Sequence, residues 1–278
     1  MLALRPAGSS TSHKYGLALS PSGELLATKL NTSVRIWNVP SAQLERTFTD
    51  APRRRINDFD LHPADDRIAV GYGGGDLEIR SIKSGEVVSA FAGLRGRPED
   101  DGHSSSTAFS PDGLRIAVGG GSESASIRDL TTGKVLVPLI VPKGTTVVWR
   151  LGYDRSGELI VGISRRDRSN DVAAVWNAKS GRLLSTYENK RPQSLSDVAA
   201  NAQSHLAAAV SLSGFVFTWN YVSGVENAQV LAPTNSLFAV DFNPDGNRII
   251  AGGSGGVAVF FHAQSGRQLI ILRGHSGE

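Results

Sequence analysis

The chain has 278 residues, 40% hydrophobic and 20% charged, with a formal net charge of +3. This is enough apolar material for one sizeable core, and so mild a net charge leaves any ionic binding surface to local clustering. The absence of cysteine excludes disulfides, thiolate zinc sites and thiol nucleophiles, and no run approaches the roughly 18 apolar residues needed to cross a membrane.

Met1 to Pro6 combines neither a basic nor an apolar leader region, so no secretory signal is expected and a cytoplasmic setting is. Leu2-Ala3-Leu4-Arg5, within 1–8, reads as a short strand ahead of a first unit at 13–50. That unit carries a Ser20-Pro21-Ser22-Gly23 turn, an apolar run from Leu25 and a third strand Val34-Arg35-Ile36-Trp37. The second unit, 55–93, opens on the alternating Ile56-Asn57-Asp58-Phe59-Asp60-Leu61 and turns at His62-Pro63-Ala64-Asp65. It continues through Arg67-Ile68-Ala69-Val70, Leu77-Glu78-Ile79-Arg80 and Ser84-Gly85 to a fourth strand, Glu86 to Phe91. The same order recurs in units 103–140, 147–188, 194–232 and 236–273, with Ser110-Pro111-Asp112-Gly113 and Asn243-Pro244-Asp245-Gly246 as the clearest turns. Period-two alternation reads as half-buried strands, and Pro-Asp-Gly supplies the backbone angles of a tight turn. The expectation is an all-β chain of four-stranded antiparallel units, repeated six times at a period of about 45 residues.

The joint occurrence of the Ser-Pro-Asp-Gly turn, Ile36-Trp37-Asn38 or Val175-Trp176-Asn177 in the third strand, and the Thr132-Gly133-Lys134 turn resembles the WD-repeat family over essentially the whole chain. TolB-like propellers share the first of these turns. Either resemblance implies a β-propeller, in which sheets stack radially and each buries its neighbour's face. The chain departs from the WD pattern in its third strands, which end in Trp37-Asn38, Arg80-Ser81, Arg128-Asp129, Trp176-Asn177, Trp219-Asn220 and Phe261-His262. Only Gly274-His275 has the phase of the family's Gly-His dipeptide, so apolar packing rather than a His-Ser-Asp-Trp network is expected within the blades. The resemblance also implies that the N-terminal strand fastens the last blade. With 274–278 read as the start of a further repeat, the expectation is a seven-bladed ring truncated at its C-terminus. A natural six-bladed ring is the alternative.

No local pattern nominates a catalytic, cofactor or metal site. The runs Gly71-Tyr72-Gly73-Gly74-Gly75, Gly119-Gly120-Gly121 and Gly252 to Gly256 lie between strands, where phosphate cradles need a following helix, and are read as hairpin turns. The six histidines have no metal-ligand spacing. Charge placement says more. Arg53, Arg54, Arg55, Arg95, Arg97, Lys190 and Arg191 fall in connections between units, and Arg165, Arg166 and Arg168 between second and third strands; both kinds of turn share one face of a propeller. Residues four before the end of each first strand should ring the channel mouth there: Tyr15, Asn57, Ser105, Trp149, Ser196 and Phe238, with Arg150 beside Trp149. Aromatic and arginine anchors of this kind characterise binding hot spots. The expected function is a non-enzymatic, monomeric scaffold holding an acidic or phosphorylated protein partner on its arginine-rich face. The alternatives are a propeller enzyme, a periplasmic TolB-like component or the sensor module of a signalling protein. Nucleic acid is disfavoured because no basic run tracks a single groove.

Overall fold

The turn residues decide where each strand reverses. Five of the six turns between third and fourth strands place a glycine at φ of +66° to +79°: Gly85, Gly133, Gly181, Gly224 and Gly266. In the first unit Ala42 adopts the same left-handed conformation at +55°, a backbone state that costs a residue with a Cβ about 1 kcal/mol. The turns between first and second strands are tied by side chains as well. Ser20 and Ser110 Oγ accept the N–H groups of Leu25 and Arg115, and Asp154 Oδ1 accepts that of Leu159.

A computed structural model describes residues 16–20, 22–30, 33–49, 56–64, 66–72, 76–91, 106–121, 125–166, 170–188 and 194–274. The first blade comprises Leu17–Leu19 (β1), Leu25–Leu30 (β2), Ser33–Asn38 (β3) and Gln43–Thr49 (β4). The second has Ile56–Leu61 (β5), Arg67–Tyr72 (β6), Leu77–Ser81 (β7) and Val87–Phe91 (β8). The third has Thr107–Phe109 (β9), Arg115–Val118 (β10), Gly120–Gly121 (β11), Ser126–Asp129 (β12) and Val135–Pro138 (β13). Val147–Tyr153 (β14), Leu159–Arg165 (β15), Asp171–Asn177 (β16) and Leu183–Glu188 (β17) form the fourth. The fifth is Leu195–Asn201 (β18), Leu206–Ser211 (β19), Phe215–Asn220 (β20) and Glu226–Leu231 (β21). The sixth is Leu237–Phe242 (β22), Arg248–Gly253 (β23), Val257–His262 (β24) and Gln268–Arg273 (β25). Each blade is an antiparallel meander of four strands in chain order, and β11, which follows β10 in the chain, joins the sheet of the fourth blade instead. Among the described residues the sole helical element is one 3-10 turn, Ser254–Gly256, and none is long and apolar enough to cross a membrane.

The core lies between blades rather than within them. Five clusters of buried side chains each join one blade to the next. Ile36 and Phe48 meet Phe59 and Ile68, and Ile79 and Phe91 meet Phe109 and Ile116. Ala117 and Ile127 meet Leu151 and Trp176; Val161 and Tyr187 meet Phe217 and Trp219; Ala208 and Val216 meet Val240 and Phe261. In the second to fifth blades one face of the sheet packs on the blade before it and the other on the blade after it, which is why their strands carry buried apolar residues on both sides.

Where they are described, the glycine runs are turns only in part. Gly71, Gly252 and Gly253 lie within β6 and β23, and Gly120–Gly121 form a strand that pairs with Val147 and Val148 of the following blade. The chain can cross there because Gly119 has no side chain: a Cβ would sit 2.5 Å from the Val148 carbonyl oxygen. Gly255 and Gly256 alone, among the described members of these runs, take the positive φ of a turn, at +71° and +66°.

Candidate functional site at the channel mouth

Among the described residues, four innermost strands carry a β-bulge at the same place. In β5 the partners pass from Ile56 to Asp58, in β14 from Val148 to Arg150, in β18 from Leu195 to Asp197 and in β22 from Leu237 to Ala239. The residues left out of the ladder are Asn57, Trp149, Ser196 and Phe238. A bulge bends the strand and re-aims one side chain out of the pleat, so these four occupy one level around the mouth.

Their environments differ. Phe238 is 52% exposed. Trp149 is half-buried and packs on the core between the fourth and fifth blades, and the guanidinium carbon of Arg165 lies 5.3 Å from its ring centroid. Ser196 turns inward, with its hydroxyl 2.7 Å from the Leu237 carbonyl and 3.1 Å from that of Val210. The backbone carbonyl of Asn57 accepts a hydrogen bond from Lys29 Nζ at 3.1 Å. Tyr15, Ser105, Arg53, Arg54, Arg55, Arg95, Arg97, Arg168, Lys190 and Arg191 lie outside the described residues, as does the 2–5 segment.

The described arginines of this face have carboxylate partners. Arg165 Nε donates to Asp171 at 3.2 Å, and Arg166 forms a bidentate pair with Glu188 at 2.7 Å for each bond. Arg150 Nε donates to Asp197 at 2.5 Å. Burial opposes the Arg150 charge, but the carboxylates of Asp197 and Asp58 outweigh it and raise its pKa. Burial also raises the pKa of Asp171, against the pull of Arg165 and the Trp149 indole. The local excess of positive charge is therefore smaller here than the sequence suggests.

One residue below the bulge, polar side chains link the innermost strands across the four junctions from the second blade to the sixth. Asp58 Oδ2 accepts the Ser106 hydroxyl at 2.8 Å and the Thr107 N–H at 3.0 Å. Ser106 Oγ in turn accepts the Leu151 N–H at 3.0 Å, Arg150 reaches Asp197, and Asp197 Oδ2 accepts the Val240 N–H at 3.0 Å. Asp60 repeats the device two residues on, accepting the Phe109 N–H at 2.7 Å. The inner edge of each sheet would otherwise present backbone donors with no ladder partner. Burial pushes the Asp60 carboxyl up to about 7, with the Phe109 hydrogen bond opposing and the neighbouring Asp58 charge adding to it. Of these groups the sequence nominated Arg150 alone, and not for this role. The signal was present: a polar residue recurs one place after the ring position in Asp58, Ser106, Arg150 and Asp197.

Among the described residues no group of three or more His, Asp or Glu side chains is placed to hold a metal ion. A cleft of about 440 Å³ lies between the fifth and sixth blades, lined by Ser204, Asn220, Asn227, Asn247, His262 and Gln264 among others. It is on the face of the short turns, remote from the mouth.

Six radial four-stranded sheets joined by inter-blade cores define a β-propeller. Residues 226–261, from β21 to the end of the buried part of β24, match the family described as WD domain, G-beta repeat. With the sixfold repeat of the same blade, the chain is a WD-repeat propeller. No curated protein matches the sequence. Propellers of this family are as a rule non-enzymatic scaffolds that bind proteins.

Proposed function

We propose that the chain is a non-enzymatic interaction platform that takes an acidic or phosphorylated protein segment on the mouth face, between Phe238 and the Trp149–Arg165 pair. The observation that carries this reading is the series of aligned bulges, which presents aromatic side chains at one level of the inner wall beside Arg150, Arg165 and Arg166. An exposed aromatic ring and a guanidinium stacked on a second aromatic offer apolar area and directed N–H donors together. Arg166 and Glu188 are exposed, so the pair is weak and an incoming carboxylate or phosphate exchanges with Glu188 at little cost. Arg53, Arg54, Arg55, Arg95, Arg97 and Arg168 lie outside the described residues and enter this reading only as cationic residues of the connections between strands, whose charge would favour an acidic segment.

The test is capture of immobilised Glu-rich and phosphoserine peptides by the purified chain. Phe238→Ala should weaken capture about tenfold or more while leaving thermal stability unchanged, because the ring is already exposed. Reversal of Arg53, Arg54 and Arg55 to Glu should abolish it. Undiminished capture by both variants would place the partner elsewhere.

A further inference from the structure

The cleft of about 440 Å³ between the fifth and sixth blades opens where two positions are filled differently from their counterparts. One is the first residue after the third strand. Ile82, Leu130, Ala178, Tyr221 and Ala263 all donate their N–H to a carbonyl just before the second strand of their own blade, and each joins the core shared with the blade before. The other is the fourth-strand residue that a bulge leaves out of the ladder: Val88, Leu136, Leu184, Asn227 and Leu269 in the second to sixth blades. Between the fourth and fifth blades the two are Leu184 and Tyr221, which pack on one apolar cluster. Between the fifth and sixth they are Asn227 and Ala263, a carboxamide and a single methyl. Asn227 lines the cleft, and Ala263 stands between His262 and Gln264, which line it too. The junction of the third and fourth blades also has an alanine, Ala178, but there Val141 of the connecting segment packs on the core.

The turns aim the polar groups of this cleft. Asn220 Oδ1 accepts the N–H groups of Val222 and Ser223 at 3.0 and 2.9 Å, which leaves its amide nitrogen for the cleft. In the first blade the corresponding Asn38 gives that nitrogen to Glu45, whose place Asn227 holds here. Asn247 Oδ1 accepts from Asn243 Nδ2, so Asn247 also presents free N–H groups. His262 Nδ1 accepts the Ser265 N–H at 3.3 Å, which puts the proton of the neutral ring on Nε2. Among the described residues the side chains of Asn227, Asp245 and Gln264 have no partner. Asp245 is the one carboxylate in the lining, which includes no lysine or arginine; Leu206 and Val225 are its apolar members.

We propose that this cleft binds a neutral sugar, as a mono- or disaccharide unit, on the face opposite the peptide site and independently of it. A sugar hydroxyl donates and accepts at once, and the carboxamides of Asn227 and Gln264 do both through adjacent atoms. Asn220, Asn247 and His262 add donors, and Asp245 adds an acceptor. Leu206 and Val225 offer apolar contact to the C–H groups of the ring. An anion would meet Asp245 with no cation to offset it. An extended peptide would need partners spaced along one edge, whereas these groups converge from four separate turns. The volume lies within the range of small-molecule sites.

The test is nuclear magnetic resonance titration of the isotope-labelled 278-residue chain with mannose, N-acetylglucosamine, maltose, cellobiose and lactose, each alone. At least one should shift the side-chain amide resonances of Asn220, Asn227, Asn247 and Gln264 saturably; an Ala-Gly-Ser peptide should not. Gln264→Ala removes an exposed side chain without intramolecular bonds. It should weaken that sugar about threefold to tenfold with thermal unfolding unchanged. Asn227→Leu installs the residue type that the fourth blade carries at this place, and should abolish detectable binding by filling the cleft. Should Asn227→Leu fail to fold, Gln264→Ala decides. No saturable shift with any of these sugars would overturn the proposal. Unchanged affinity in either folded variant would place the sugar elsewhere and do the same. So would equal binding of the peptide, which would make the cleft a peptide groove.

Discussion

The junctions on the two sides of the third blade solve one packing problem with different chemistry. The last inward-facing position of the third strand is Trp176 in the fourth blade and Trp219 in the fifth, both fully buried against the blade before. In the second and third blades the same position holds Arg80 and Arg128. Their guanidinium groups fold down to carbonyls of their own blade's turn, Gly85 at 3.2 Å and Gly133 at 3.1 Å. The ladder registers are alike in all four. Strand pairing is thus set by the turns and bulges, and the side chain at this position decides only how the junction is sealed, by an aromatic plate or by an amphipathic arginine whose stem covers apolar surface.

The sharpest break of that comparison is Trp219→Ala. It removes a ring stacked on Tyr187 at 5.1 Å between centroids and leaves a cavity, so chemical denaturation should show a loss of about 3–5 kcal/mol. A second experiment separates the two arginines. Arg80 pairs with the buried Glu78 at 2.7 Å, and Tyr72 also donates to that carboxylate. Arg80→Met strands a buried charge and should cost about 2–3 kcal/mol, much of it recovered in the double variant with Glu78→Gln. Among the described residues no carboxylate pairs with Arg128, whose Nε donates to Ser126 Oγ at 3.3 Å, so Arg128→Met should change stability by less than about 1 kcal/mol. Equal costs for the two arginines would show that the ion pair is irrelevant to the seal.

The polar side of the comparison also carries a pH signature. The Asp60 carboxyl, at about 7 in the folded chain against 3.8 as a free side chain, holds its proton longer when folded. Its contribution to stability therefore falls as pH rises from about 4 to about 7 and is level above that. Asp60→Asn keeps an acceptor for the Phe109 N–H without the buried charge. At pH 8 it should stabilise the chain by on the order of 2 kcal/mol, and the gain should vanish by pH 4 in denaturation curves.

Much of the blade plan was legible because turns and alternation are local signals repeated six times. The level of Asn57, Trp149, Ser196 and Phe238 could be counted back from the strand ends for the same reason. What was hidden depends on residues distant in the chain. Arg150 meets Asp197 and Arg166 meets Glu188 only after blades and hairpins come together. Nothing adjacent to either arginine announces its partner, so an unpaired cationic face was the natural reading. Gly119 to Gly121 misled for a related reason: three glycines satisfy a hairpin turn equally well as a backbone crossing, and the Val148 carbonyl that selects the crossing belongs to another unit.

That crossing has a consequence for how the molecule comes apart. Among the described residues the other sheets exchange no strand, so neighbouring blades adhere through side chains and a few side-chain-to-backbone bonds. Gly120 and Gly121 extend the ladder of the fourth blade with backbone of the third, giving one sheet of five strands. In a one-dimensional chain of repeats this stiffens a single nearest-neighbour coupling. Hydrogen exchange should find the third and fourth blades opening together as one cooperative unit, while the first and sixth blades, each joined to a neighbour by one core cluster, open more readily.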